Sequence, residues 1–438
     1  MKGRAVAAAL VAGYVVLALV PLGVALAPPR LAGRSFGLEL ALALGFVGLG
    51  QLALQFALIA RFRRVSEPFG IDLVMQYHRQ IGVLTILFVL AHPVVLLVES
   101  SAFWTLLRPS VGGAAIWTGI VSTVALLALA AASFWRRPLR IGYETWRVTH
   151  ALVGVAALVL AQAHVSLAGV YVDAPWKHAV LGAWCALFVG FVVHLRLVKP
   201  LAFRRRPWEV VEVRPDVART WNLVLAPVGH AGLRFAPGQF AWLKIGVSPW
   251  SVRENPFSFS SSAERPERLE FGIKELGDST SAIGRLPPGT RVFVDGPHGS
   301  FSSDFHSTDG FVMIAGGVGI SPILSMLRTL ADRGDRRPVT LVYACSRWDR
   351  VAFRGELEAL GARLALEVVY VLEAGHPGWS GPIGYVTREL LAPLLAPDPA
   401  ARQVFLCGPD AMMEAVERML LDSGVPAARI ELERFDLV

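Results

Sequence analysis

Six apolar runs, each long enough to cross a bilayer, fill the chain before Lys199 and leave little freedom in how its first half folds. They read at about 5–26, 36–60, 75–98, 111–134, 146–170 and 176–198. A span inside lipid must satisfy its backbone polar groups internally, which a helix does. The predicted fold class is therefore a multi-domain membrane protein, a six-helix transmembrane bundle with a soluble half behind it. Residues 5–26 sit where a secretory signal would, but no small-residue cleavage site follows Pro28-Pro29 and further spans come directly after, so the segment reads as retained. Basic residues alternate between loops: Lys2 and Arg4, then Arg61, Arg63 and Arg64, then Arg136, Arg137, Arg140 and Arg147, then Arg196, Lys199 and Arg204-Arg205-Arg206 fall on one side. The opposite loops hold Arg30, Arg34, Arg108 and Lys177. The positive-inside rule puts the richer side, both termini and the soluble half in the cytosol of a multi-pass protein of the cell (inner or plasma) membrane. The net charge of +8 follows from that topology. No aromatic-interleaved basic face is present, so nucleic acid is not an expected partner.

Within these runs stand two matching histidine pairs, His78 with His92 and His150 with His164, each 14 residues apart. On a helix 14 residues make about four turns, return to within roughly 40° of the same face and rise about 21 Å. If the two segments are antiparallel neighbours, His78 faces His150 toward the cytosol and His92 faces His164 toward the outside. An isolated helix histidine is commonly satisfied by a backbone carbonyl, but equal spacing in two segments is not explained that way, and polar groups inside a membrane are costly and usually functional. Neutral imidazole is a good axial ligand for haem iron, and facing helices of a bundle are a usual cofactor site. Zinc or a proton path also uses histidine, so the choice among them rests on the rest of the chain. Three cysteines, Cys185, Cys345 and Cys407, with no CxxC, are too few for a four-thiolate iron–sulfur cluster. Electrons need another carrier.

The boundary of the apolar half falls near Arg204-Arg205-Arg206-Pro207, giving expected domains at 1–203, 204–307 and 308–438. From Trp208 to about Ser300 short strands broken by Gly and Pro predict a small antiparallel β-barrel. Beyond it, strand–helix alternation predicts an α/β domain with a parallel sheet: Phe311–Ala315, Val339–Ala344, Leu366–Val371 and Gln403–Leu406. Phe311–Ala315 runs into Gly316-Gly317-Val318-Gly319-Ile320-Ser321-Pro322, a turn of the kind that holds a phosphate at a helix start.

Four phrases in order, Pro237-Gly238-Gln239-Phe240, Asn255-Pro256-Phe257-Ser258, Gly277-Asp278-Ser279-Thr280 and Asp295-Gly296-Pro297-His298-Gly299, resemble the flavin-binding domain of the ferredoxin-NADP reductase superfamily. The Gly316–Pro322 turn and Cys407-Gly408-Pro409 match the same superfamily's nicotinamide domain. A flavin needs a flat apolar partner and a donor near N5, which Phe257 and Ser258 offer; its pyrophosphate needs amides and a hydroxyl, which Gly277, Ser279 and Thr280 offer. The family commonly has Arg or His where this chain has Asn255, and Arg253 is the substitute cation. The resemblance implies that Cys407 positions the hydride donor, that Ser346 and Arg347, with Arg354 nearby, bind the adenosine end of NADPH or NADH, and that Glu433 and Phe435 are the acidic and aromatic residues of the tail, Phe435 covering the flavin.

In the apolar half Gly70-Ile71-Asp72 before His78-Arg79, Ala91-His92-Pro93, and Tyr143-Glu144-Thr145-Trp146-Arg147 before His150 resemble the ferric-reductase-type transmembrane domain shared with NADPH oxidases. Over roughly 36–438 the resemblance implies an oxidoreductase that moves electrons from cytosolic NAD(P)H through FAD and two b haems to dioxygen or a ferric chelate outside. A quinone reductase or a donor to a periplasmic enzyme is the alternative; a histidine-based metal transporter is a third reading that leaves the flavin phrases unexplained. No calcium-sensing or partner-docking segment is evident, so no obligatory protein activator is expected. His178, His230, His298, His306 and His376 read as loop or surface residues.

Overall fold

The computed structural model describes residues 2–29, 34–61, 70–396 and 398–434. Arg30, Arg63, Arg64 and Phe435 lie outside the described residues. The chain divides into two units, Met1–Pro200 and Leu201–Val438.

Among the described residues of the first unit, six helices are long and apolar enough to cross a membrane. In order the helices are α1 Lys2–Leu26, α2 Phe36–Ile59, α3 Ile71–Glu99, the short α4 Ala102–Leu106, α5 Pro109–Phe134, α6 Tyr143–Ala168 and α7 Pro175–Val193. Their ends follow local chemistry. Ser35 caps α2 by accepting from the Leu38 N–H at 3.3 Å. Pro109 and Pro175 open α5 and α7, where a missing N–H is no loss. Gly169 closes α6 with a φ of 66°, a left-handed conformation that glycine adopts freely. The sixth span extends past α7 through a π-helical turn, His194–Val198, into α8 Lys199–Arg205.

Helix α2 is the packing centre: Leu49, Leu52, Ala53 and Phe56 are buried against Leu126, Leu158, Trp184 and Phe188. Leu87, Val98, Val124 and Leu152 on the surrounding helices stay exposed, as suits surfaces whose solvent is lipid. Lys177 departs from the sequence expectation of an outer-loop charge. It is wholly buried, and its ammonium donates to the carbonyls of Ala25 (3.1 Å), Pro29 (2.9 Å) and Tyr171 (2.7 Å). Three protons find three acceptors, which is what lets a buried cation stand and ties the end of α1 to the start of α7.

The second unit begins with strands β1 Trp208–Pro215, β2 Thr220–Pro227, β3 Phe240–Ile245, β4 Asn255–Ser258, β5 Leu269–Lys274 and β6 Arg291–His298. They form one antiparallel sheet in the order β4-β3-β6-β1-β2-β5. A bridge between Phe259 and Phe271 joins its two edges into a barrel. Alternate residues, among them Leu223, Leu225, Ala241, Leu243, Phe259 and Phe271, fill the interior. The short α9 Asp278–Ser281 lies between β5 and β6.

Next comes a parallel sheet of β7 Phe311–Gly316, β8 Val339–Cys345, β9 Leu366–Leu372, β10 Gln403–Cys407 and β11 Ile430–Glu433, ordered β11-β10-β7-β8-β9. Phe311, Met313 and Ala315 face α10 Ile320–Asp332 on one side, while Val312 and Ile314 face Met413, Val416 and Leu420 of α13 Asp410–Asp422 on the other. Burial on both faces explains why these strands read as unbroken apolar runs. The remaining helices, α11 Arg354–Gly361 and α12 Arg388–Leu395, complete the connections.

Candidate functional site

Two groups of residues carry chemistry, one in each unit. In the bundle, the rings of His78 on α3 and His150 on α6 lie 6.1 Å apart, centre to centre, and those of His92 and His164 lie 6.3 Å apart. Two imidazoles on one metal, each with a nitrogen–metal bond of about 2.0 Å and about 1.1 Å more to the ring centre, would be separated by about 6 Å. Both separations are of the size that two imidazoles sharing one metal ion would show.

Hydrogen bonds decide which ring nitrogen is free. His92 Nδ1 lies 2.7 Å from the Ala41 carbonyl and His164 Nδ1 lies 2.6 Å from the Ala115 carbonyl. A carbonyl only accepts, so each Nδ1 carries the proton and each Nε2 keeps its lone pair. The glycine one turn further along makes room for each ring: a Cβ on Gly45 would approach His92 Nδ1 to 3.0 Å, and one on Gly119 would approach His164 Nδ1 to 2.8 Å. His150 is fixed through a side chain instead. Ser133 Oγ donates to Leu129 O at 2.7 Å, accepts from Trp146 Nε1 at 3.2 Å and lies 3.2 Å from His150 Nδ1. With its one proton on the carbonyl, the hydroxyl can only accept from His150. His78 differs: the Gln55 amide nitrogen donates to His78 O at 3.1 Å and to His78 Nδ1 at 2.6 Å, while its oxygen accepts from the Gly82 N–H at 3.1 Å, so here Nδ1 is the acceptor.

In the second unit the register places Ser258 of β4 opposite Phe240 of β3, and Phe240 opposite His298 of β6. Opposed residues share a face. Ala241 and Leu243 point into the barrel, so this row points out of it; even so, Ser258, Phe240 and His298 are buried. A Cβ on Gly299 would lie 3.1 Å from the Phe240 ring and 3.9 Å from Glu433 Oε2, which brings the end of β11 to the row. Cys407 stands opposite Glu433 in the parallel pair β10–β11. Ser258, Phe240 and His298 thus form one buried row, and the Glu433–Cys407 pair of the parallel sheet comes up to its edge at Gly299. Among the described residues Ser258 Oγ and His298 Nδ1 are buried without a partner, and orphaned polar atoms on one buried face mark a place where a polar ligand completes the bonding. The Cys407 thiol is pushed up by burial and then by the Glu433 charge, so it stays neutral.

The other predicted residues divide. The Gly316–Gly319 turn fits the turn after β10 so closely that a Cβ on Gly319 would meet Cys407 O at 2.2 Å, and one on Gly408 would meet Gly316 Cα at 3.0 Å. Gly317, with φ of 53°, and Val318 form the half-buried crest of this turn, and Pro409 caps α13. Two hydroxyls are used by the protein itself: Ser321 Oγ donates to Gly272 O at 3.1 Å, tying the turn to the barrel, and Thr280 Oγ1 accepts from the Leu276 and Gly277 N–H groups at 2.8 and 3.1 Å. Ser279 and Gly277 remain exposed beside them. Phe257 packs against the barrel core, away from Ser258. Asn255 and Pro256 are half-buried and Arg253 is exposed. At the carboxyl end of β8, Arg347 pairs with Asp349 at 2.9 Å and Arg354 stacks over Trp348 at 4.8 Å, with Ser346 between strand and turn.

His298 was not legible as a site residue. It reads as a loop or surface residue, whereas β6 continues through Gly296 and Pro297 to His298 and carries the ring into the buried row. The ionic junction of Glu270 with Arg328 also lacked a local motif, since its members come from strands and a helix far apart in sequence.

Residues 44–161 match the ferric reductase like transmembrane component family, and residues 313–418 match the oxidoreductase NAD-binding domain family. A flavohemoprotein of Deinococcus radiodurans is 30% identical over 72% of this chain and 83% of its own length. Ferredoxin–NADP reductase B of Sorangium cellulosum is 30% identical over 52% of this chain and 96% of its own. The reductase subunit of a stachydrine N-demethylase from Rhizobium meliloti is 28% identical over 52% of this chain, which spans 66% of that relative's length. With six membrane-length helices, an antiparallel barrel and a parallel nucleotide-binding sheet in that order, the chain belongs to the membrane oxidoreductases in which a ferric-reductase-like transmembrane domain is fused to a ferredoxin-NADP-reductase-type FAD and NAD(P)H module.

Proposed function

We propose that this oxidoreductase takes electrons from cytosolic NAD(P)H and delivers them, through FAD and two b haems, to an acceptor on the outer face of the cell membrane, either dioxygen, giving superoxide, or a ferric chelate. The observation that carries the reading is the pair of ring separations, 6.1 and 6.3 Å, in a protein whose other half is an NAD(P)H-dependent flavin reductase. His78 with His150 would hold the inner haem and His92 with His164 the outer, about 21 Å further along the same two helices. Bound flavin accepts a hydride and gives electrons up one at a time, and bis-histidine haem passes single electrons. Ser258, Arg253 and Asn255, with the Gly277–Thr280 turn, would hold the flavin. The Gly316–Gly319 turn and Cys407-Gly408-Pro409 would hold the nicotinamide nucleotide, its adenosine end toward Ser346 and Arg347.

An absorption spectrum of the detergent-purified protein, before and after anaerobic NADPH, tests this. Bleaching of flavin together with a sharp haem band that shifts on reduction is the expected result. Flavin bleaching with no haem band would reduce the protein to a membrane-anchored flavin reductase.

A further inference from the structure

Every NAD(P)H that is oxidised by single-electron carriers leaves a proton behind: NAD(P)H becomes NAD(P)⁺, two electrons and H⁺. The electrons depart toward the membrane, so the proton must be taken up by a base in the flavin cleft. We propose that His298 is that base.

The ring is only 5% exposed, on the same face of the sheet as Ser258, with Phe240 between them. Its Nε2 lies 3.2 Å from Asp295 Oδ1. A carboxylate accepts, so Nε2 carries the ring's proton and Nδ1 is left as a bare lone pair. That Nδ1 has no hydrogen-bond partner among the described residues. A buried imidazole with a carboxylate behind it and an unpaired acceptor in front is the arrangement of a general base held in one tautomer. When Nδ1 takes the proton, Asp295 Oδ1 remains the acceptor for Nε2–H and holds the ring in place. Ser258, whose Oγ is likewise unpaired, holds no base strength at neutral pH and serves as a hydrogen-bond partner only. The inference rests on the flavin reading and is independent of the haems.

The test uses the full-length protein loaded with FAD, reduced by NADPH and then reoxidised by ferricyanide in a stopped-flow spectrometer. In His298→Ala, reoxidation is expected to slow by about 10²-fold, the usual contribution of a positioned base, and by far more than bleaching by NADPH does. Added imidazole is expected to restore the rate in proportion to its concentration, which a merely structural role would not show. His298→Gln retains bulk and polarity but cannot take a proton, and is expected to be as slow as His298→Ala. Unchanged reoxidation in either variant, a slow rate in His298→Ala that imidazole does not rescue, or loss of bound FAD from both would overturn the assignment. Failure of NADPH to bleach flavin in the unaltered protein would instead sink the flavin reading on which it stands.

Discussion

Gly119 lies directly against the ring of His164, with its ideal Cβ position 2.8 Å from Nδ1 and 3.1 Å from both Cγ and Cε1. The ring cannot retreat without breaking its 2.6 Å bond to the Ala115 carbonyl. Gly45 bears the same relation to His92, but at 3.0 Å for Nδ1 and 3.3 Å for the two carbons. Gly119→Ala is therefore expected to displace His164, and Gly45→Ala to displace His92 less, both being ligands of the outer haem in the proposed route. Redox titration of the haem band checks this: the outer component should be lost or shifted in Gly119→Ala, with the inner one kept, and equal, unshifted components in both variants would refute it.

Removing either outer ligand altogether, His92→Ala or His164→Ala, is expected to abolish reduction of an impermeant outer acceptor while NAD(P)H still bleaches the flavin. The two functions separate because the proposed haem ligands and the proposed nucleotide-binding residues belong to different units. Reduction of the outer acceptor retained by the double variant would end the proposed route.

Much of the architecture was open to reading because its causes are local. Apolar runs, Gly-rich turns and equal histidine spacing are carried by neighbouring residues, and the six spans and the parallel strands follow from them. The partners that orient the histidines were not open in the same way. Ala41 and Ala115 act through backbone carbonyls, which leave no signature in residue type, and Ser133 acts only because Leu129 O takes its proton. Lys177 was misplaced for a related reason: a lysine near a helix start reads as a solvent-facing charge until three carbonyls from separate segments are folded around it.

Gly319 tests the nucleotide end. A methyl there would meet backbone, Cys407 O at 2.2 Å and Cys407 C at 2.6 Å, so β10 and the Gly316–Gly319 turn must part. Backbone of this kind has no rotamer by which to yield. Gly319→Ala is expected to lower NADPH-driven flavin bleaching at least tenfold, while dithionite, which needs no nucleotide site, reduces the flavin as before. A rate of bleaching by NADPH within twofold of the unaltered protein would show that the turn does not position the nucleotide.

The ion network between the barrel and α10 gives a pH prediction of definite sign. Glu270 accepts from Asn222 Nδ2 at 2.8 Å, Arg268 Nε at 2.8 Å and Arg328 Nη1 at 3.0 Å, and Arg328 in turn pairs with Glu356 and donates to Ser260 O at 2.7 Å. Burial alone would raise the Glu270 carboxyl, but Arg328, Arg268, Asn222 and Arg214 outweigh it and bring the group down from 4.5 to about 2. A carboxyl depressed in the fold stabilises it above its ordinary value and loses that stabilisation as the pH falls toward the folded value. The second unit should therefore weaken between about pH 4.5 and pH 2, by at most about 3 kcal/mol on this account, and less because Arg214 and Arg268 are partly exposed and screened. Glu270→Gln should flatten that dependence while lowering stability at pH 7, and Arg328→Ala, which removes the most buried cation but leaves Asn222, Arg268 and Arg214, should lower it by about 1.5–3 kcal/mol. Release of FAD fluorescence on heating, followed from pH 7 to pH 3 in detergent, measures all three, and an acid profile of Glu270→Gln that matched the unaltered protein's would place the acid-sensitive contact elsewhere.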